Sequence, residues 1–194
     1  MYHIKKDKRS IQSGNLMYEA LGTLMRAKKF EDISIKELMD TAQVGRATFY
    51  RNFDIIEDIL RWKCDEAFQW LYEYLVEFYK AHLSRNKQIK FSFMKPFLRY
   101  WYIHSEIIEL LYQANHLDIV TSAFQDMFKK FNLHIPSSAA VITDHFDYFA
   151  ALRSGVAINI LIQWIKNDKD IAPDDLADLI ANQIKASMDL MLLI

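Results

Sequence analysis

A single cysteine, Cys64, excludes an intramolecular disulfide framework and suits a reducing, cytoplasmic setting. Glycine and proline are scarce as well, with 4 and 3 in 194 residues. Sandwiches and barrels need turn residues between successive strands, and this chain has few to offer. No GxGxxG loop, phosphate-binding loop or internal repeat occurs, so nucleotide-cradling backbone is not expected. The longest apolar run, Gly155 to Ile165, is too short and too interrupted to span a bilayer. The opening MYHIKKDKRS has no apolar stretch and does not read as a secretory leader. The six histidines, His3, His82, His104, His116, His134 and His145, show neither HExxH nor Glu-x-x-His spacing. No catalytic centre, metal site or cofactor is therefore expected, and no membrane partner.

What the chain does have is hydrophobic residues, 52% of the total, rich in Leu, Ile and Phe. They recur at helical spacing, which predicts an all-α protein of about nine helices. A first helix is expected over roughly Ser10 to Lys28, with Leu16, Ala20, Leu21 and Leu24 inward. A fourth is expected from about Asp54 to Ala81, with the stripe Ile56, Leu60, Cys64, Ala67, Leu71, Leu75 and Phe78 holding helical period. Residues 83–90 read as a polar link. Pro96 fits the first turn of a fifth helix. Ser105 and Asp118 fit as caps of a sixth and a seventh. A long eighth is expected over Ser138 to Lys166. Asn167 to Asp170 then turn the chain, and Pro173 starts a ninth. Cys64 reads as a buried thiol on the apolar face of the fourth helix.

The net charge of −1 hides an asymmetry. Residues 1–53 hold ten Lys and Arg against six Asp and Glu, and residues 54–194 hold fourteen against nineteen. A basic head of this kind attracts a polyanion. The segment Met1 to Ser10, with Lys5, Lys6, Lys8 and Arg9, reads as a basic arm that is solvated when free.

Within the head, Ser34 to Phe53, SIKELMDTAQVGRATFYRNF, has the pattern of helix, short turn and second helix. Ser34 and Glu37 form a capping box. Ile35, Leu38, Met39 and Ala42 share one face. Gln43 and Val44 make the turn, and Gly45 stands where the second helix begins, letting the backbone approach a phosphate. Phe49 and Phe53 are four apart and belong inward. Arg46, Ala47, Thr48, Tyr50, Arg51 and Asn52 are left outside as two guanidinium forks, a methyl, a hydroxyl, a phenol and an amide. Such groups suit phosphates and base edges in a major groove. An ordinary exposed helix would account for any one of these residues alone. It does not account for the whole run.

Residues 11–60, carrying ISIKELMDTAQVGRATFYRNF, resemble the DNA-binding domain of TetR-type (tetracycline-repressor-like) transcriptional regulators. The resemblance implies a DNA-binding domain over residues 1–53 and a ligand-binding and dimerisation domain over residues 54–194. It implies double-stranded DNA as partner, with Ser34, Lys36, Gly45, Arg46, Ala47, Thr48, Tyr50, Arg51 and Asn52 as the contacting set. Thr48, Tyr50 and the Gly45 N–H would meet phosphates, and Arg46 and Ala47 would lie nearest the bases. The chain departs from the family at Gln43, where glycine is usual in the turn. It departs again at Ile55, Ile56 and Glu57, where the family often has a phosphate-gripping lysine. The late run GVAINILIQWIKNDKDIAPDDLADLI is also similar to the family and implies a homodimer built on the last two helices. Phe146, Phe149, Val156, Ile160 and Trp164 would line one helix of that interface. Leu176, Ile180, Ile184 and Met188 would line the other. Large apolar faces on a soluble chain usually meet a partner. Aromatic residues crowd the middle of the chain and are more often core than pocket. Their polar tips, together with the resemblance, imply a flat or apolar small-molecule effector lined by Cys64, Phe68, Phe97, Trp101, His104 and Tyr112. The function expected is a ligand-responsive repressor that binds a palindromic operator as a dimer, and not an enzyme. Two alternatives stay open: a protein of this fold acting mainly through protein partners, and a helical-bundle enzyme, for which no motif speaks.

Overall fold

A computed structural model describes residues 1–5, 7–85, 93–134 and 146–191. Among these residues lie nine α-helices and no strand: α1 (Lys8–Met25), α2 (Ile35–Ala42), α3 (Arg46–Asn52), α4 (Glu57–Arg85), α5 (Met94–His104), α6 (Glu106–Gln113), α7 (Leu117–His134), α8 (Phe146–Lys166) and α9 (Pro173–Met191). The all-α expectation holds. The start expected for the eighth helix, at Ser138, lies outside the described residues, as do Lys6, Phe91 and His145.

The chain divides into two compact units. The first holds Met1–Phe68 and Glu106–Asp126, so it takes in more than residues 1–53. Here α1 packs on α2, α3 and α6. Gly22 of α1 leaves room for Leu110 of α6, whose Cδ1 would lie 3.7 Å from a Cβ at that position. Asp7 caps α1, accepting from the Arg9 and Ser10 N–H groups at 3.1 and 3.0 Å, which starts the helix earlier than Ser10. The Ser10 N–H in particular holds the Asp7 carboxyl below its ordinary range. The buried seam of α1 runs Gly14, Met17, Leu21 and Met25. Leu16 is exposed, contrary to expectation, because it stands one position off this seam. The core adds Leu38, Phe49, Phe53, Ile59, Leu60, Ile108, Leu111 and Val120, all without exposure.

The second unit holds Gln69–Ser105 and Met127–Ile194. In it α5 packs on α9 and on α8. Its buried core includes Leu71, Leu75, Phe97, Leu98, Trp101 and Leu161. Polar ties reinforce α5 against α9. Arg99 grips Asp174 through its guanidinium, with Nε donating at 2.6 Å, and Lys95 reaches Asp178 at 2.7 Å. Arg99 holds the Asp174 carboxyl below the usual carboxylate range. Ser105 does not cap α6 in extended conformation. It is helical and buried, and its hydroxyl accepts from Lys169 Nζ at 2.7 Å. Asp118 is not the cap of α7 but sits in its first turn.

Helix α4 is continuous, giving its first turns to one unit and the remainder to the other. Its buried seam passes through Leu60, Cys64, Phe68, Leu71 and Leu75. The expected stripe holds at four of these, but Ile56, Ala67 and Phe78 are only half-buried. The Phe68 ring takes the inward position beside Ala67 and meets Phe124 edge-on at 6.2 Å. Cys64 is fully buried, and burial pushes its thiol pKa up.

Candidate nucleic-acid interface

The helix-turn-helix is held by local chemistry. Ser34 Oγ accepts the Glu37 N–H at 3.2 Å and opens α2. The return half of a capping box is not seen here. Glu37 is instead paired with Lys28, which also donates to the Asp32 carbonyl at 3.0 Å. Helix α2 ends at Gln43, whose φ of 55° and ψ of 37° are left-handed. Glycine adopts this region at no steric cost, and glutamine does not. Val44 is half-buried in the turn. Gly45 then caps α3 in extended conformation, and its carbonyl accepts from the Thr48 N–H at 2.8 Å.

On α3 the two faces separate as the spacing predicts. Phe49 and Phe53 are wholly buried, 6.1 Å apart, and Phe53 meets Trp62 of α4 at 6.0 Å. Arg46, Ala47, Tyr50 and Arg51 are exposed, as are Ser34, Lys36 and Gly45. Tyr50 is 52% exposed while its ring stands edge-on to Phe49. Thr48 is half-buried and receives a bond from Arg51 Nη2 at 3.1 Å. Neither Arg46 nor Arg51 forms an ion pair among the described residues. Asn52 is the correction. It is 1% exposed, and its Nδ2 donates to the Thr48 carbonyl at 3.0 Å. Facing the core beside Phe49 and Phe53, it offers no amide to a groove.

The arm is a second departure. Residues 1–5 lie against the first unit rather than free in solvent. His3 N–H donates to the Asn52 carbonyl at 2.7 Å, and Tyr2 Oη donates to Asp65 at 2.7 Å. The Met1 amino group and the His3 ring approach Asp54 at 2.8 and 3.1 Å and hold its carboxyl below the ordinary range. Tyr2 and Ile4, two apolar residues alternating within a basic tail, were the signal in the sequence. At the expected phosphate-gripping position, Ile55 is exposed. Asp58 is buried beside it and accepts from the Asp54 and Ile55 N–H groups at 3.0 and 3.3 Å.

The residues expected to line an effector pocket fall in both units. Cys64 and Phe68 are buried in the first, Phe97 and Trp101 in the second. Phe97 and Trp101 meet edge-on at 6.4 Å. His104 and Tyr112 point to solvent instead, because the inward faces of α5 and α6 are filled by Phe97, Leu98, Trp101, Ile108 and Leu111.

The residues expected at a dimer face divide likewise. Val156 and Ile184 are exposed, and Ile160 is half-buried. Trp164, Leu176 and Ile180 are buried within the chain and cannot form an outer face. Trp164 Nε1 donates to the Ile171 carbonyl at 2.9 Å, and its ring faces Tyr102 at 5.8 Å. The side chains of Phe146, Phe149 and Met188 lie outside the described residues. On α8 the outward apolar stripe is Tyr148 (77% exposed), Leu152 (63%) and Val156, spaced by four.

Residues 90–186, half of the chain, match the TetR-type family described as the transcriptional regulator C-terminal region. The chain belongs to the TetR family of transcriptional regulators. It is 22% identical over 160 residues to YxbF of Bacillus subtilis (strain 168), an uncharacterized HTH-type transcriptional regulator. That match takes in 80% of this chain and 40% of that protein. It is 33% identical over 61 residues to DhaS of Lactococcus lactis subsp. lactis (strain IL1403), an HTH-type transcriptional activator of the dhaKLM operon. Here the shares are 31% of this chain and 33% of the relative. The chain thus matches well under two thirds of the length of either relative. In fold it is similar to the crystal structure of Lin0861 from Listeria innocua, with a TM-score of 0.72, 18% identity and 94% of each chain covered. Among the described residues no helix is long and apolar enough to cross a membrane.

Proposed function

We propose that this chain is a ligand-responsive DNA-binding regulator that acts as a two-fold dimer and carries no enzymatic activity. Residues 1–53 would bind DNA, and residues 54–194 would receive the effector and pair the subunits. The observation that carries the reading is the division of α3. Phe49 and Phe53 anchor a seven-residue helix from one side only, while Arg46, Ala47, Tyr50 and Arg51 stand outside it. Two guanidinium groups without ion pairs among the described residues suit a phosphate backbone and guanine edges. One short helix binds weakly alone. Two copies reading half-sites one helical turn apart make a palindromic operator the natural target.

The apolar stripe on α8 supports the dimer, since such a face on a regulator calls for a matching surface. An apolar effector acting near the buried rings of Phe97 and Trp101, or near Cys64 and Phe68, would reach the head through the uninterrupted α4. A shift of α4 would alter the separation of the two heads and so uncouple them from their half-sites. The regulator is read as a repressor. DhaS, described as an activator, is the counter-example, and transcription from a target promoter with and without the chain decides the sign.

The test is Tyr50→Ala, assayed on a duplex that the wild-type chain selects from a random-sequence pool. Affinity should fall by about tenfold or more, with helicity and oligomeric state unchanged. Undiminished binding, or a pool from which the wild-type chain enriches nothing, would overturn the assignment.

A further inference from the structure

We propose that Tyr2, His3 and Ile4 form a strap that holds α3 in the order and at the angle DNA binding needs, a proposal resting on the reading of α3 as the DNA-facing helix. The last carbonyls of a helix have no partner within it. At the end of α3, the Asn52 carbonyl finds one in the His3 N–H, at 2.7 Å. With its own amide turned in to Thr48, Asn52 is tied at both its backbone and its side chain. The next residue, Ile4, sits against α1 and α4 together. A Cβ at Gly14 would stand 2.7 Å from Ile4 Cδ1 and 2.8 Å from the Trp62 ring, so this seat exists only because residue 14 is glycine. Trp62 in turn packs on Phe53, the residue that ends α3. Tyr2 completes the strap by donating to Asp65, one turn further along α4.

The strap therefore touches α1, the end of α3 and α4. Its half-buried Tyr2 and Ile4 alternate with exposed His3 and Lys5. A helix of seven residues is not stable by itself, so the order of α3 depends on what is packed at its ends. The arm, expected from its lysines to reach for phosphate, is assigned a positioning role by this geometry.

The experiment uses the full chain with Tyr2→Phe and, separately, Ile4→Ala. Amide hydrogen exchange over residues 46–53 is read without DNA. Affinity is read on the duplex selected by the wild-type chain. Exchange should quicken about fivefold in each variant, the scale of one lost intramolecular hydrogen bond, and affinity should fall by a similar factor. Unchanged exchange overturns the strap even if affinity falls, because the arm would then be touching DNA itself. Faster exchange with unchanged affinity overturns the positioning role. Should Ile4→Ala fail to fold, Tyr2→Phe keeps the ring and carries the test alone. Tyr50→Ala, run alongside, keeps two failures apart. Its undiminished binding overturns the reading of α3 itself. A weakened Tyr50→Ala beside undiminished strap variants overturns only the strap.

Discussion

Gly45 has φ of −68° and ψ of 142°, which any residue adopts, and a Cβ there would meet nothing within 4 Å. Nothing inside the chain requires glycine at this position. What it permits is close approach by something outside, at the point where the backbone of α3 begins. Gly45→Ala is therefore expected to leave stability unchanged or raise it by about 0.5 kcal/mol, since alanine narrows the unfolded ensemble. Affinity for a selected duplex should nonetheless fall roughly tenfold, as the methyl holds the backbone off. Calorimetry and a binding titration on the same sample check both halves. Full affinity would show that no partner approaches here. Asn52 gives the opposite lesson. Its type suits a groove contact, yet the inward bond to Thr48 removes it from any surface.

At the scale of elements, the turn between α2 and α3 is the informative place. Gln43 in the left-handed region costs on the order of 1 kcal/mol relative to glycine. Gln43→Gly should recover about 0.5–1 kcal/mol and raise the melting temperature by a few degrees. No upward shift in a thermal scan would mean the glutamine is held there without strain. This left-handed turn was readable beforehand, because capping depends on residues within one turn of each other. So was the inward pairing of Phe49 and Phe53, four apart on one short helix. The seam of α1 was not. Leu16 and Met17 are equally apolar neighbours, and only Met17 faces the bundle, because the seam passes through Gly14, Met17 and Leu21.

For the whole molecule, the question is which apolar surface remains once each unit has packed its own core. Trp164, Leu176 and Ile180, expected on an outer face, are used up inside the chain. Tyr148, Leu152 and Val156 are left on α8, with Leu179 and Ile184 on α9. Leu152→Arg places a charge in the middle of the α8 stripe. If that stripe is the interface between copies, dimer affinity should drop at least about a hundredfold, through a desolvated and unpaired charge. Sedimentation velocity across a concentration series measures it. An oligomer distribution identical to wild type would move the interface elsewhere.

Helical class, the Ser34 cap, the left-handed Gln43 and the buried Phe49 and Phe53 were determined by the sequence alone. Each depends on residues three or four apart, and local spacing carries that information in full. Tertiary structure decided the rest: Asn52 turned inward, His104 and Tyr112 turned outward, Trp164 drawn into the core and the arm laid against Gly14 and Trp62. Those outcomes depend on partners far along the chain. Which of two apolar neighbours is buried is settled only when a distant helix arrives to cover one of them.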